Sequence, residues 1–217
     1  MRQGELAFGG RGGKRVGAGR PKTNPEAESH VRRAPLARRH PVHVTLRIQR
    51  GLPRLRNGAA FRALRRAFAN GCERPGFRLV HLSVQRDHVH LIAEGDDRRS
   101  FVGGLRGLAV RIARALNRLW RRRGRVLGDR PHEHVLWTPL EVRRALVHVL
   151  HNARKHGTWL EPGRTDPLSS AQWFDGWQVA SEREARDPPV AQARSWLLRI
   201  GWRRHGLLGL DEAPDAR

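Results

Sequence analysis

Asp87-His88-Val89-His90-Leu91-Ile92 sets two imidazoles on either side of one hydrophobe, inside an apolar run. In a strand, side chains alternate between faces. His88 and His90 therefore point the same way, roughly 7 Å apart at Cα, while Val89 and Leu91 enter the opposite layer. Two imidazoles converging from one strand can chelate a divalent ion. Two half-exposed polar residues on a sheet face would look the same in sequence. Further on, His148 and Asn152 lie one helical turn apart, with Arg144 and Lys155 close by. Histidine, amide and cations beside an apolar stripe suit a phosphodiester. Read alone, this helix is equally well explained as a solvated polar face.

The charge balance sharpens both readings. The chain has 217 residues and a net charge of +23, with 43 basic against 20 acidic residues, and only Lys14, Lys22 and Lys155 are lysine. A surplus of that size favours a polyanionic partner, and arginine's planar fork suits phosphate. Drift in base composition enriches arginine over lysine, but it does not remove acidic residues. Cys72 is the lone cysteine, which excludes a disulfide framework or a four-cysteine zinc site and fits a reducing cytoplasm. No stretch approaches the roughly 18 apolar residues of a membrane span, so a membrane is not an expected partner.

The elements that must position these residues are legible in order. Val42, Val44, Leu46 and Ile48 alternate with His43, Thr45 and Arg47, predicting a strand. Phe61, Leu64, Phe68 and Cys72 share one stripe of a helix over 58–74, stopped by Pro75-Gly76. Residues 77–85 and 88–94 read as a hairpin through Arg86-Asp87, which puts the histidine pair near the middle of a sheet. A long helix over 100–123 carries Phe101, Leu105, Leu108, Ile112, Leu116 and Leu119 on one seam. Its opposite side is a basic rail of Arg111, Arg114, Arg118 and Arg121, suited to phosphate or simply to solvent. Residues 126–137 form an irregular extended segment in which Pro131 favours an edge strand. Thr138-Pro139-Leu140-Glu141 opens the last helix with a cap, a proline at its first position and a capping box. Strand, helix, strand, strand, helix, strand, helix suits an α+β fold: a ferredoxin-like (RRM-like) sandwich with an antiparallel sheet. If the first two helices cover Val89 and Leu91, then His88 and His90 face the final helix with His148 and Asn152.

Over about residues 40–159 the sequence resembles the HUH single-strand DNA endonucleases, in the branch of the REP-associated tyrosine transposases and related insertion-sequence transposases. His88-Val89-His90 matches that family's His-hydrophobe-His strand. The run from Ala145 to His156 is similar to its tyrosine helix, with Asn152 four residues after the nucleophile position. The resemblance implies the HUH motif on a central strand and a divalent ion, magnesium or manganese, held by His88, His90 and Asn152. It implies a single-stranded or hairpin DNA partner and metal-dependent strand cleavage and transfer in DNA transposition. It also implies a chain active as a monomer or a homodimer. This chain departs at the nucleophile. The family uses tyrosine, His148 stands in its place, and the sequence contains no tyrosine. Three roles are open to His148: a dead site on a protein that still binds DNA, an alternative nucleophile or base, or a further metal ligand. A reading from a different class is a non-catalytic regulator that binds DNA or RNA.

The outlying segments are less specific. Residues 1–39 form a basic Gly/Arg-rich tail with no apolar period, expected to be disordered. Gly19-Arg20-Pro21-Lys22 resembles a minor-groove AT-hook core, and it also resembles the N-terminal tails of the transposase branch. Arg20 and Lys22 are thus candidate DNA contacts, as are Arg111, Arg114, Arg118, Arg144 and Lys155. After a transposase-like domain over 40–160, residues 161–217 are expected to form an accessory aromatic loop and a C-terminal helix over 190–205. Trp173 and Trp177 could stack on bases or pack onto the domain.

Overall fold

The computed structural model describes residues 35–128, 130–155, 160–179 and 185–212. Arg20 and Lys22 lie outside them, as does the side chain of Lys155.

Five strands form one antiparallel sheet: β1 (Val42–Arg47), β2 (Glu73–Arg74), β3 (Phe77–Val84), β4 (His88–Gly95) and β5 (His132–Val135). Their order across the sheet is β2-β3-β4-β1-β5, so the strand carrying both histidines is central. Helix α1 (Gly58–Ala69) joins β1 to the hairpin, and α2 (Arg98–Leu119) joins β4 to β5. Helix α3 (Pro139–Leu150) follows, continued by one turn, α4 (Asn152–Lys155). This is the expected α+β sandwich with strand order as in a ferredoxin-like fold, extended by the short β2 at one edge.

Alternation divides the sheet into two faces. On the first, Val42, Val44, Leu46, Leu79, Leu82, Val84, Val89 and Leu91 pack against Leu64 and Phe68 of α1 and Phe101, Leu105, Leu108 and Ile112 of α2. Each helix starts on a side-chain cap. Asn57 Oδ1 accepts the Ala60 N–H at 2.9 Å, and Asp97 Oδ1 accepts the Ser100 N–H at 2.7 Å. On the second face, Val80 and Ile92 meet Val142, Leu146, Val149 and Leu150 of α3. Leu136, Phe174, Trp177, Leu197, Leu198, Trp202 and Leu208 complete that core. Thr138 Oγ1 accepts the Glu141 N–H at 3.2 Å, so the expected cap forms, while Glu141 Oε2 accepts the Trp137 N–H at 2.6 Å, one residue before the Thr138 N–H that a capping box would use.

Three helices differ from the periodic reading. The helix expected to reach residue 74 stops at Ala69, because Glu73 and Arg74 turn back at Pro75-Gly76 to pair with Arg78 and Phe77. Gly76 has φ +72°, and a Cβ there would lie 2.6 Å from Ser100 Cβ. Helix α2 begins at Arg98 rather than 100 because Asp97 caps it. It ends at Leu119 rather than 123, with Arg121 in the left-handed region at φ 49°. The helix expected over 190–205 is instead one four-residue turn, α5 (Trp196–Arg199), and a 3-10 turn over Gly201–His205. Pro188 and Pro189 disfavour helix just before it, and Gly201 allows the chain to pass the Trp196 ring, which a Cβ would meet at 2.7 Å.

The C-terminal segment is nevertheless tied down. Glu94, fully buried, accepts from Arg78 Nε at 3.0 Å and from the backbone N–H groups of Arg194 and Ser195 at 2.9 and 2.8 Å. Trp177 is buried, with Nε1 donating to the Ala171 carbonyl, and Trp173 Nε1 donates to the Arg186 carbonyl. These rings pack onto the domain. Among the described residues, no helix is long and apolar enough to cross a membrane.

Candidate metal centre on the second face of the sheet

Cross-strand pairing builds this site. Register sets Thr45 opposite His90 and Arg47 opposite His88. Directly paired residues share a face, so His43, Thr45, His88 and His90 form one polar patch on the side opposite Val89 and Leu91. Helix α3 lies above it. It packs Val142, Leu146 and Val149 into the second core and brings His148 down to the strands, because Thr138 and Pro139 set where the helix starts.

The rings crowd around His90. Its centroid lies 4.7 Å from that of His88, 4.8 Å from His148 and 5.2 Å from His43. His88 and His90, both buried, bring their Nε2 atoms to 3.0 Å. His90 Nδ1 lies 3.1 Å from His43 Nε2 and 3.2 Å from Thr45 Oγ1. His43, His90 and His148 each offer one ring nitrogen to a set lying within 4.8 Å of one another. Asn152 is fully buried one turn beyond His148, with Nδ2 3.2 Å from His148 Nε2 and Oδ1 without a hydrogen-bond partner.

Local chemistry selects the donor atoms. Asp87 Oδ1 lies 2.7 Å from His88 Nδ1. Partial burial pulls the Asp87 carboxyl upward, but the hydrogen bond and charge of His88, with Arg47 nearby, outweigh it and hold the group below its usual range. A carboxylate there accepts the Nδ1 proton and leaves His88 Nε2 as a lone pair. Thr45 Oγ1 can likewise accept a proton from His90 Nδ1, which turns the Nε2 lone pair of His90 toward that of His88. Two imidazole lone pairs 3.0 Å apart repel unless a proton or a cation lies between them. A carboxylate behind a ligating histidine is the usual support for a metal-bound imidazole. The set fits a divalent ion on two counts: clustered imidazoles, and a buried amide oxygen with no partner.

Of the residues singled out in sequence, His88, His90, His148 and Asn152 come together. Arg144 lies one turn before His148 on α3 and is exposed. Arg111, Arg114 and Arg118 do not join them. Helix α2 covers the first face, so the basic rail lies on the far side of the sheet, with Arg114 and Arg118 exposed and Arg111 half-buried. Sequence reasoning missed His43, Thr45 and the supporting role of Asp87. His43 shared the strand period with Thr45, but only the register with β4 brings it to His90.

Two further histidines are neutral by burial. His81, beside Phe174 with ring centroids at 5.5 Å, is pushed down to about 4. His151 is also pushed down to about 4 by burial, with its ring against Trp177 at 5.3 Å.

No family model matches the sequence, and no curated protein matches it significantly. Among solved structures, the chain is similar to a REP-associated tyrosine transposase determined in complex with a REP hairpin. The two share 20% sequence identity at a TM-score of 0.53, over 66% of this chain and 82% of the other. The likeness is one of fold: this chain has the fold of a REP-associated tyrosine transposase.

Proposed function

We propose that this chain is a transposase-like protein that binds single-stranded or hairpin DNA at the histidine face, and that it no longer cleaves DNA through a phosphotyrosine. The observation that carries this reading is the convergence of His88, His90, His43 and His148 on one face of a transposase-like sheet, in a sequence without tyrosine. Its net charge of +23 supports a phosphate-rich partner.

His88 and His90, with Asn152 or His43 completing the set, would hold the ion. A bound divalent ion would polarise a phosphodiester oxygen. Asp87 orients His88 by accepting its Nδ1 proton, and Thr45 does the same for His90. Arg144 stands beside the patch to neutralise phosphate charge. His148 occupies the position from which the family nucleophile attacks. It lies 3.2 Å from the Asn152 amide, and an Nε2 lone pair accepting from that amide is engaged rather than poised for attack. Imidazole attack would in any case give a phosphoramidate, which acid hydrolyses. The non-catalytic side of the proposal therefore rests on His148 itself.

A labelled hairpin drawn from the flanks of the gene tests this directly. Binding should be tighter than for plain duplex and should fall steeply between low and moderate salt, as counterion release requires. The protein should yield no acid-stable covalent adduct. His148→Tyr should yield a DNA-linked band on a denaturing gel that needs manganese or magnesium. A preference for duplex, or binding indifferent to salt, would overturn the DNA reading. An acid-stable adduct with the unmodified protein would overturn the loss of the nucleophile.

A further inference from the structure

A second feature borders the histidine patch. Residues 48–56 leave β1 and pass beside the β3–β4 turn, fixed there by Ile48 N–H donating to the Asp87 carbonyl at 2.9 Å and Leu55 N–H donating to the Arg86 carbonyl at 2.8 Å. Between the two segments runs an open groove of about 850 Å³. His88 stands in its wall, so the groove continues from the histidine patch. Arg50, Arg54 and Arg86 line it and are exposed. The one carboxylate in its lining, Asp87, is committed to His88. A groove with three cationic rims and its only anion already engaged fits a polyanion rather than a peptide or a neutral metabolite.

Gln85 is the anomaly in that wall. It is 1% exposed, and its Nε2 donates to Ser83 Oγ at 2.7 Å. Its Oε1 is buried without any hydrogen-bond partner. Rotating the amide by 180° would only pass the unmatched position from oxygen to nitrogen. Buried carbonyl oxygens are almost always paired, so an unpaired one beside a ligand-sized groove marks where a ligand's donor belongs.

We infer that Gln85 is a base-reading residue: the groove takes the nucleotide next to the one held at the histidines, and Gln85 Oε1 accepts from the exocyclic amine of its base. With one Nε2 N–H held by Ser83 Oγ, the unmatched atom of the amide is the Oε1 acceptor. Adenine, cytosine and guanine each offer an exocyclic amino group to it. Thymine offers an imide N–H between two carbonyls, which would face Oε1 with like polarity. Arg50, Arg54 and Arg86 hold the flanking phosphates, which positions the strand without reading it. The inference rests on the DNA-binding reading and adds a sequence preference to it.

The test is competition binding with one hairpin carrying a single-stranded flank, each flank position filled in turn by A, C, G and T. At one position, a base with an exocyclic amine (adenine, cytosine or guanine) should bind about tenfold more tightly than thymine, the scale of a good base contact. Gln85→Met should bring all four bases within about twofold while leaving affinity for the hairpin without a flank unchanged. Gln85→Glu keeps the acceptor and should keep the order of preference. If Gln85→Met fails to fold, Arg50→Ala with Arg86→Ala, both on the exposed rim, should weaken only the flanked hairpin. Indifference of the wild-type protein to every flank position, a thymine preference, or discrimination that survives Gln85→Met each overturns the inference. A hairpin that does not bind at all sinks the DNA reading; a hairpin that binds with an indifferent flank sinks this inference alone.

Discussion

Leu91 and Ile92 are neighbours on β4, yet they belong to different cores. Leu91 faces α1 and α2, in a layer whose sheet contribution is almost purely aliphatic. Ile92 faces α3 and the C-terminal segment, and two residues along the same face stands His90. The first face is closed by two long helices that carry regular apolar stripes. The second is closed by one helix and by residues 171–177 and 193–208, whose regular structure is limited to short helical turns, and its histidines sit beside the packed apolar part. One face supplies stability from periodic burial. The other combines burial with polar groups whose partners must be supplied one by one, and that is the arrangement a binding site needs.

The largest expected effect separates the faces most cleanly. Leu91→Ala removes a fully buried side chain of the first core and should cost about 2–5 kcal/mol of stability in denaturant melts. Its affinity for manganese should stay at the wild-type value. A variant that loses stability and metal together would show that the faces are coupled through β4 rather than independent.

A smaller effect marks the second face by its response to acid. His81 lies on the second face, opposite Ile92 in the sheet register, with its folded value pushed down to about 4 from an ordinary 6.5. The unfolded chain therefore binds the extra proton between those values. Stability from this group is fully present above pH 6.5 and is lost as pH falls toward 4, by about 2 kcal/mol at pH 5. Melts at pH 7 and pH 5 should show that loss, and His81→Leu should reduce it. Tryptophan emission from Trp177 and Trp202, both in the second core, should report the acid transition first. Equal stability at the two pH values would break the contrast.

The difference between faces also explains what was legible in the sequence. Alternation in 42–48 and 77–94 gave the strands, helical stripes gave α1 to α3, and Thr138-Pro139-Leu140-Glu141 gave the start of α3. His88 and His90 shared a face because the period of a strand is two. His148 and Asn152 shared a side because the period of a helix is 3.6. His43 could not be placed this way, since its partner is set by the register between β1 and β4, which no local spacing records. The unsatisfied oxygen of Gln85 is a tertiary fact of the same kind. The C-terminal helix misread over 190–205 fails for a related reason. Its backbone answers to Glu94 and its Trp202 ring to Phe174 and Gly176, all outside the segment, and not to a repeating stripe. Of the basic rail expected on α2, Arg114 and Arg118 are exposed, Arg111 is half-buried, Arg121 lies past the end of the helix, and the whole rail is on the side of the sheet away from the histidines.

The smallest expected effect concerns His43 and sharpens the comparison within a single strand. Val44 and His43 are adjacent on β1, the first buried in the first core and the second half-buried at the patch. His43 Nε2 lies 3.1 Å from His90 Nδ1, and His43 belongs to the three-histidine set within 4.8 Å. A ligand or close support removed from such a set should weaken metal affinity by roughly tenfold, or about 1.4 kcal/mol. Because the ring is only half-buried and touches little of the apolar core, His43→Ala should leave the melting midpoint nearly unchanged. Val44→Ala should do the reverse, lowering stability while retaining metal. Calorimetric titration of manganese into both variants reads the two effects on one scale. If His43→Ala binds metal as well as the wild-type protein, the ion belongs to His88, His90 and Asn152 alone, and His43 is a strand residue that happens to face them. If it loses metal as completely as His90→Ala, the centre is a three-histidine site in which His148 is a ligand, and His148→Tyr should then weaken metal binding before it can supply a nucleophile.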